Sequence, residues 1–386
     1  MTEIREPVDQ LQPGEFEAFI DLINDAFGFG ASDGFTHFLA GRYKPTPELA
    51  GCNYIIRQGN TLAAGAGVFP IDWRVGARTL RVAGVGGVAV DPRHRRQGLM
   101  RRIMDHLLAH IREAGYPLSY LGGQRQRYRY WGWERAGCHA SYHVQPANVR
   151  HDPPAGYESI ELDPVGDDPA QLATLGELYD RQRIRAHRPL GSMRDFLRHW
   201  RMHPLAARDA GGRVLGYIAI NVQDRDAAEL VVAHPDDAPA VVARAVMEHG
   251  PLAVSMPAGS DAAVTRRLAS LAERVRVADS GNWQVFNWPV VIEALMHAAH
   301  ATQPLMAGEV VLAIEDAGAL RLAVTGEGPA CEPTRARPAM TLDAATATRL
   351  LFGPLRPREV VTLPADAAAL EAWCPLPLAL GRLDHV

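Results

Sequence analysis

An apolar strand, an arginine-rich turn and an amphipathic helix follow one another between residues 79 and 114. This order constrains the fold more than any other feature of the chain. Residues Thr79–Val90 are β-rich, and the turn that follows ends in Gly98. Helical spacing of apolar side chains then predicts a helix over Leu99–Ala114, after which strand character returns at Tyr116–Leu121. A strand, a helix and a second strand in this order predict a parallel pair with the helix packed across it.

The turn itself is typical of an anion site. The first amides of a helix have no partner within the helix, and the helix dipole adds partial positive charge at the same end. Gly98 lets the backbone come close to a ligand, while Arg95 and Arg96 contribute full charges. We therefore expect a pyrophosphate group to bind at this turn.

Two other interpretations of the segment are disfavoured. A basic turn could be a solvated loop, but its position between a buried strand and a helix argues against that. Gly84-x-Gly86-x-x-Ala89 could be a dinucleotide fingerprint, yet those glycines precede more strand, and Asp105 falls inside the helix instead of ending a second strand. A cofactor with its pyrophosphate on the turn and its arm along the strand fits best.

Composition narrows the class of protein. A chain of 386 residues with 47% hydrophobic residues predicts two or three globular domains, and no apolar run reaches the ~18 residues of a membrane helix. The four cysteines are far apart and form no C-x-x-C pair, so we expect no zinc site. Residues 1–150 hold 18 basic and 14 acidic side chains, a net charge of +4, whereas residues 151–386 carry −8. We expect a cytoplasmic protein, with no nucleic acid or membrane as partner, whose amino-terminal part takes an anionic ligand.

The segment from Val88 to Leu99 reads V-x-V-x-P-x-x-R-R-x-G-L, which resembles the acetyl-CoA signature of the GNAT acyltransferase superfamily. The general pattern R/Q-x-x-G-x-G/A is met by Arg95 and Gly98 but not by Met100. That departure is similar to the Eis-like (enhanced intracellular survival) branch, as are three other motifs. They are Leu80-Arg81-Val82-Ala83-Gly84, Tyr128-x-x-Trp131-Gly132-Trp133 and Cys331-x-Pro333-Thr334.

The resemblance implies α/β and α+β architecture in three domains. Residues 1–150 would form a GNAT acetyl-CoA-binding catalytic domain, and residues 151–287 a degenerate GNAT-like domain, each with a mixed central sheet flanked by helices. A Pro- and Asp-rich stretch at 150–168 would link them. Residues 288–386 would form a sterol-carrier-protein-like domain whose carboxyl terminus completes the active site of the first domain.

The resemblance also implies site residues. Acetyl-CoA, as co-substrate, would lie along Val88, Ala89 and Val90, and its pyrophosphate would be held by the amides of Arg95, Arg96, Gln97, Gly98 and Leu99. Tyr128 would be the general acid, with Tyr130 as the alternative, and the terminal carboxylate of Val386 the general base. Phe27 would line the acceptor pocket. No metal is expected, since His106 and His110 have zinc-like spacing but no third ligand.

These features predict an N-acetyltransferase that transfers an acetyl group to a primary amine of a small molecule or peptide by direct attack in a ternary complex. Arginines at 125, 127, 129 and 135 disfavour a polycationic aminoglycoside. The alternatives are a GNAT enzyme with another acyl-CoA, a catalytically silent acetyl-CoA sensor and a lipid-binding protein. A homo-oligomer is expected, since relatives form hexamers.

Overall fold

A computed structural model describes residues 7–30 and 34–386. The first half of the chain alternates strands and helices. Its strands are β1 Val8–Gln10, β2 Asn53–Gln58, β3 Thr61–Val75, β4 Arg78–Val90, β5 Leu118–Leu121, β6 Glu134–Ala136, β7 His139–Val144, β8 Glu161–Pro164 and β9 Ile184–Ala186. Its helices are α1 Phe16–Phe27, α2 Phe35–Phe38, α3 Pro47–Ala50, α4 Leu99–Glu113, α5 Arg125–Tyr128, α6 Pro146–His151 and α7 Pro169–Asp180.

The second half continues the same alternation. Its strands are β10 His203–Arg208, β11 Val214–Asn221, β12 Asp226–Val232, β13 Leu252–Pro257, β14 Arg274–Ala278, β15 Gly281–Val285, β16 Gly308–Ile314, β17 Gly318–Thr325, β18 Gly328–Pro333 and β19 Met340–Leu342. Its helices are α8 Met193–Leu197, α9 Asp237–His249, α10 Ala262–Leu271, α11 Trp288–Thr302, α12 Ala344–Phe352, α13 Pro357–Val360 and α14 Leu370–Trp373.

The strands form three mixed sheets flanked by helices, which confirms that part of the predicted fold class. The first sheet has the order β1-β2-β3-β4-β5-β15-β6, with β9 also paired to β3. The second has the order β14-β7-β13-β12-β11-β10-β8, and the third β18-β17-β16-β19. Each sheet contains one parallel pair, namely β4–β5, β12–β13 and β16–β19. The predicted parallel strand–helix–strand unit is thus β4–α4–β5.

The sheets exchange strands near the expected domain boundaries. Strand β15, from the range 151–287 expected to form the second domain, pairs with β5 and β6 and so completes the first sheet. Strand β7, from the range 1–150 expected to form the first domain, pairs with β13 and β14 in the second sheet. The stretch 150–168, expected to be a linker, contributes β8 to the second sheet, where it pairs with β10. The first two sheets are therefore joined, because each contains a strand from the part of the chain that forms most of the other sheet.

One apolar core is shared between the first sheet, the third sheet and the carboxyl-terminal segment. Buried members include Ile71 of β3, Trp283 of β15, Leu322 of β17 and Leu378 near the end of the chain. On the opposite face of the first sheet, α4 packs its apolar side onto a separate cluster that contains Val85 of β4. Leu376, Leu378, Leu380 and Val386 therefore lie in the core beside the first sheet instead of extending into solvent.

Candidate active site

Strands β4 and β5 pair over only part of β4. Their parallel register runs from Val82 opposite Leu118 to Val85 opposite Leu121, where β5 ends. Strand β4 continues to Val90, with β3 as its neighbour on the other side. The two parallel strands thus stop sharing a ladder beyond Val85, which leaves one backbone edge of residues 86–90 available to a ligand.

A bulge occupies the point where the pairing stops. Gly67 of β3 lies opposite Gly86, whereas Gly65 lies opposite Ala89, so β4 holds one more residue than β3 between these two pairs. Within the bulge Gly87 has φ of +61°. Because of the extra residue, side chains after the bulge lie on the opposite face of the sheet from the one that regular alternation would give. Val85 lies in the cluster on the α4 side, while Ala89, four residues later, lies in the core on the opposite side.

The arginine-rich turn and the start of α4 enclose a cavity of about 540 Å³ beside this free edge. Its lining residues come from the end of α1, the end of β4, the turn, the first turn of α4, and α5. They are Ala26, Val88, Ala89, Val90, His94, Arg95, Arg96, Gly98, Leu99, Met100 and Arg127. All of the predicted cofactor residues except Gln97 therefore line one cavity.

Backbone geometry explains why a glycine stands at position 98. Gly98 is the residue immediately before α4 and has φ of +74°, in the left-handed region. No side chain or backbone atom lies within 4 Å of where a Cβ would stand, so the conformation and not crowding requires glycine. The amides of Leu99 and Met100, at the start of α4, lack partners within the helix and lie at its positive end.

Two polar residues of the turn have other roles. Arg93 bonds Asp91 through Nη2 at 2.6 Å, and this bond lowers the pKa of the Asp91 carboxyl despite its desolvation. Gln97 does not line the cavity; its Oε1 accepts a hydrogen bond of 2.8 Å from Gln58 Nε2. Positive charge at the cavity is thus supplied by Arg95, Arg96 and Arg127.

Tyr128 and Tyr130, the two candidates for the acid, lie in different environments. Tyr128 is 7% exposed and packs with Leu99 and Trp133 in the cluster on the α4 side of the sheet. Burial raises the pKa of its hydroxyl, and a hydrogen bond and charge from Arg127 partly offset this. Tyr130 is 63% exposed and lies beside Trp131 and the Arg101 guanidinium. The buried hydroxyl is therefore beside an arginine that lines the cavity.

Val386 lies on the other face of the same sheet. It is 7% exposed and belongs to the core that contains Ile71 and Tyr120. A Cβ on Gly86 would lie 2.8 Å from the carboxyl carbon of Val386, and a Cβ on Gly84 would lie 3.0 Å from its Cγ2. Glycines at these two positions make room for the end of the chain beside the bulge.

Phe27 does not line the 540 Å³ cavity, although its neighbour Ala26 does. Its ring is 51% exposed and begins a run of aromatic contacts. The ring centroids of Phe27 and Phe35 are 4.9 Å apart, those of Phe29 and Phe38 are 5.0 Å apart, and Phe38 contacts Trp200 at 4.7 Å. This aromatic run leads from the end of α1 toward the second sheet.

The arginines expected to repel a polycation are largely paired. Arg125 forms two hydrogen bonds with the buried carboxylate of Glu134, one of them at 2.7 Å. Arg135 bonds Asp279 at 2.7 Å and the carbonyl oxygen of Gly123 at 2.9 Å. Arg129 Nε also lies 3.9 Å from Glu134 Oε2, so three of the four arginines have a carboxylate partner, which weakens the sequence argument against a cationic acceptor.

Sequence reasoning missed the side chains that hold the carboxyl-terminal segment. Asp384 is 1% exposed and accepts a hydrogen bond from Arg188. The Tyr120 hydroxyl oxygen lies 2.9 Å from Nδ1 of His385, within hydrogen-bond distance. Burial lowers the pKa of His385 to about 4, so its ring is neutral at neutral pH. A signal was present: Arg382, Asp384 and His385 interrupt an otherwise apolar ending, and charged residues in such a segment need partners.

The described residues, 7–30 and 34–386, hold no group of three or more His, Cys, Asp or Glu side chains placed to bind a metal ion. In the same ranges, every helix is too short or too polar to cross a membrane.

Comparison with known proteins identifies the fold. Residues 7–136 match the family model described as an acetyltransferase (GNAT) domain. Among solved structures, a GCN5-related N-acetyltransferase from Kribbella flavida is 19% identical, with a TM-score of 0.69 and 100% of both chains covered. One from Anabaena variabilis is 17% identical, with a TM-score of 0.70 and coverage of 99% of this chain and 100% of that one.

Eis1 from Mycobacterium abscessus is also similar in structure. It is 17% identical, with a TM-score of 0.67, and the match covers 97% of this chain and 99% of Eis1. None of the curated proteins matches the chain. The predicted GNAT resemblance is confirmed: residues 7–136 match the GNAT acetyltransferase domain model, and the chain shares the fold of Eis1 along nearly all of its length.

Proposed function

We propose that this chain is an acetyl-CoA-dependent N-acetyltransferase that acetylates a primary amine of a small molecule or peptide by direct attack in a ternary complex. One observation carries the proposal. The free edge of β4 and the arginine-rich turn, which the sequence assigns to one ligand, line a single cavity of about 540 Å³. Unpaired strand backbone and a helix start in one cavity suit an elongated ligand with a phosphate end.

The residues present fit acetyl-CoA. Amides at the start of α4, with Arg95 and Arg96 beside them, would hold the pyrophosphate, and the backbone of Val88, Ala89 and Val90 would hold the pantetheine arm. Gln97 would contribute through its amide, since its side chain is bonded to Gln58. When bound, acetyl-CoA supplies an activated acetyl group as a thioester.

The terminal carboxylate of Val386 is proposed as the general base. An ammonium must lose a proton before its nitrogen can attack a thioester carbon. In a chain that ends at Val386, a carboxylate stands beside the bulge of β4, because its carbon lies within contact distance of Gly86.

Tyr128 is proposed as the general acid, which donates its hydroxyl proton to the departing thiolate. The raised pKa keeps this hydroxyl protonated at neutral pH, and the hydrogen bond from Arg127 would stabilise the tyrosinate that donation leaves. Tyr128 and Val386 belong to the clusters on opposite faces of the first sheet. They would act from the two sides of the opening between β4 and β5.

The other expectations from the resemblance belong to the same proposal. Phe27 would contact the acceptor, at the start of the aromatic run that continues to Trp200. Residues 1–150, 151–287 and 288–386 would be the catalytic, degenerate GNAT-like and sterol-carrier-like domains. The protein would be a cytoplasmic homo-oligomer, up to a hexamer.

Release of free thiol from acetyl-CoA across a panel of amines tests this function. The panel should contain arylalkylamines, amino acids, polyamines, an aminoglycoside and a peptide with a free amino terminus, each also tried with propionyl-CoA. We expect amine-dependent thiol release with acetyl-CoA and a mass gain of one acetyl group on the amine. Acetyl-CoA binding by calorimetry without turnover on any amine would contradict the enzyme and favour a sensor.

A further inference from the structure

Four charged side chains from distant parts of the chain meet in the protein interior. Arg42 follows α2, Arg188 follows β9, Glu229 lies on β12, and Asp384 is two residues before Val386. Each is less than 9% exposed, and Asp384 is only 1% exposed. Two positive and two negative charges balance, so the cluster is neutral as a whole.

Arg188 is the centre of this cluster. Its Nε donates to Asp384 Oδ1 at 2.6 Å, and Nη1 and Nη2 donate to the two oxygens of Glu229 at 2.9 and 2.8 Å. The guanidinium carbon lies 4.0 Å from the centroid of the Tyr179 ring. The Tyr179 hydroxyl donates to Asp384 Oδ2 at 3.1 Å, and the Tyr217 hydroxyl donates to Glu229 at 2.6 Å. Both oxygens of Asp384 are therefore held.

Main-chain contacts hold the same segment. His199 Nδ1 lies 2.7 Å from the carbonyl oxygen of Leu383, and His199 Nε2 accepts the Gly41 N–H at 2.8 Å. Because Nε2 accepts, the ring proton is on Nδ1, which donates to Leu383. Arg42 Nη2 donates to the carbonyl oxygen of Asp384 at 3.4 Å. Successive residues just before Val386 are thus fixed by side chains from elsewhere in the chain.

Stability alone does not account for such a cluster. Removing charges from water costs free energy, and apolar side chains of similar volume often stabilise a core as well or better. Charged, hydrogen-bonded groups also fix orientation, because a guanidinium fork bonds a carboxylate in a restricted geometry. Here the carboxylate that is oriented belongs to Asp384, two residues before the proposed base.

We propose that Arg188 is a positioning residue for the carboxylate of Val386. By fixing Asp384 against Glu229 of the second sheet, it sets where the last residue lies against Gly84 and Gly86 of the first sheet. Arg188 touches no reacting atom in this role. The proposal rests on the proposed base function of Val386, and the experiment separates the two.

The test is a double-mutant cycle between Arg188→Lys and deletion of Val386. Lysine keeps the buried positive charge, so the cluster stays neutral, but it lacks the fork that bonds Asp384 and Glu229 together. In the full chain, we expect Arg188→Lys to lower kcat about 10- to 100-fold, because misplacement by about 1 Å can cost that much. The KM for acetyl-CoA should be unchanged, since the cofactor cavity uses other residues.

In the chain that lacks Val386, Arg188→Lys should lower the remaining activity less than two-fold. There is then no carboxylate at position 386 left to position, so the two changes are not additive. The same loss in both backgrounds would overturn the positioning role while leaving the base intact. If deletion of Val386 itself leaves kcat unchanged, the proposed base is wrong, and the positioning role is overturned with it.

Two further variants serve as controls. Tyr179→Phe removes the hydroxyl that lies 3.1 Å from both Asp384 Oδ2 and the carbonyl oxygen of Ala186 but leaves the Arg188 fork in place, so it should show a smaller loss of kcat, about 2- to 5-fold, with the same dependence on Val386. It replaces Arg188→Lys if that variant does not fold. Arg57→Gln breaks the ion pairs of Arg57 with Asp9 and Glu15, which lie within residues 1–150 but are remote in sequence from residues 382–386. Arg57→Gln should leave kcat unchanged in the full chain and in the chain that lacks Val386. If it lowers kcat in the full chain but not in the chain that lacks Val386, as expected for Arg188→Lys, the result counts against the proposal.

Discussion

Tyr128 and Tyr130 are two residues apart but differ in what their hydroxyls meet. The hydroxyl of Tyr128 is buried next to Arg127, whose side chain lines the proposed cofactor cavity, whereas the Tyr130 ring is mostly in water. Two aromatic residues that the sequence could not separate therefore have distinct surroundings. Proximity to the cavity through Arg127 favours Tyr128 as the proton donor.

Conversion of Tyr128 to phenylalanine tests this assignment. We expect Tyr128→Phe to lower kcat about 100-fold, a typical contribution of a general acid, with little change in acetyl-CoA affinity. Tyr130→Phe removes a hydroxyl from the neighbouring exposed ring and should leave kcat within about two-fold. Steady-state kinetics and calorimetry on both variants give the comparison. If Tyr130→Phe lowers kcat about 100-fold and Tyr128→Phe leaves it within about two-fold, the general acid is Tyr130 and not Tyr128.

The turn and helix that are proposed to bind the pyrophosphate are local structures. Asp91 caps the turn by accepting the Arg93 N–H, Gly98 takes a left-handed conformation, and α4 begins at the next residue. Each of these depends on residues within a few positions along the chain. For this reason the sequence predicted the turn and the helix to within one residue at its end.

Valine at position 98 should abolish tight binding of acetyl-CoA. A β-branched residue with φ of +74° is strained, and the turn would change conformation to relieve this strain. Gly115, just beyond the other end of α4, has φ of +70° and equally open surroundings, so Gly115→Val is a matched control. We expect both variants to lower Tm similarly, but only Gly98→Val to weaken acetyl-CoA binding, by more than about 10-fold. Equal affinity in calorimetric titrations of the two would exclude the turn as the cofactor site.

The whole molecule depends on contacts that join all three sheets. The last residues of the chain meet Arg188 and Glu229 from the second sheet's region, Tyr120 from the first sheet, and the core shared with the third. His199 contributes to this junction as a neutral ring, since burial and the charge of Arg42 hold its pKa well below its usual value of 6.5. Protonation would remove the acceptor for the Gly41 N–H.

Acid should therefore weaken the junction. An unfolded His199 binds a proton below about pH 6.5 while the folded one does not, so its contribution to stability is present above that pH and is lost as pH falls. Between about pH 7.5 and 5.5, the Tm of the wild-type chain should fall more than that of His199→Gln, which cannot be protonated. Thermal unfolding of both proteins at several pH values measures the difference. Parallel curves would show that His199 does not contribute.

Local features could be predicted from the sequence: the β4–α4–β5 unit, Gly98, and the arginines that favour an anionic ligand. These follow from periodicity, backbone conformation and charge among neighbours in the chain. The insertion of β15 between β5 and β6, and the contact of Arg188 with Asp384 across 196 positions, are visible only in the folded chain. Such pairings depend on which distant groups complement each other in a packed interior, and no short-range pattern encodes that. The glycines at 84 and 86 illustrate both: the sequence displays them, but only the fold shows that they make room for Val386.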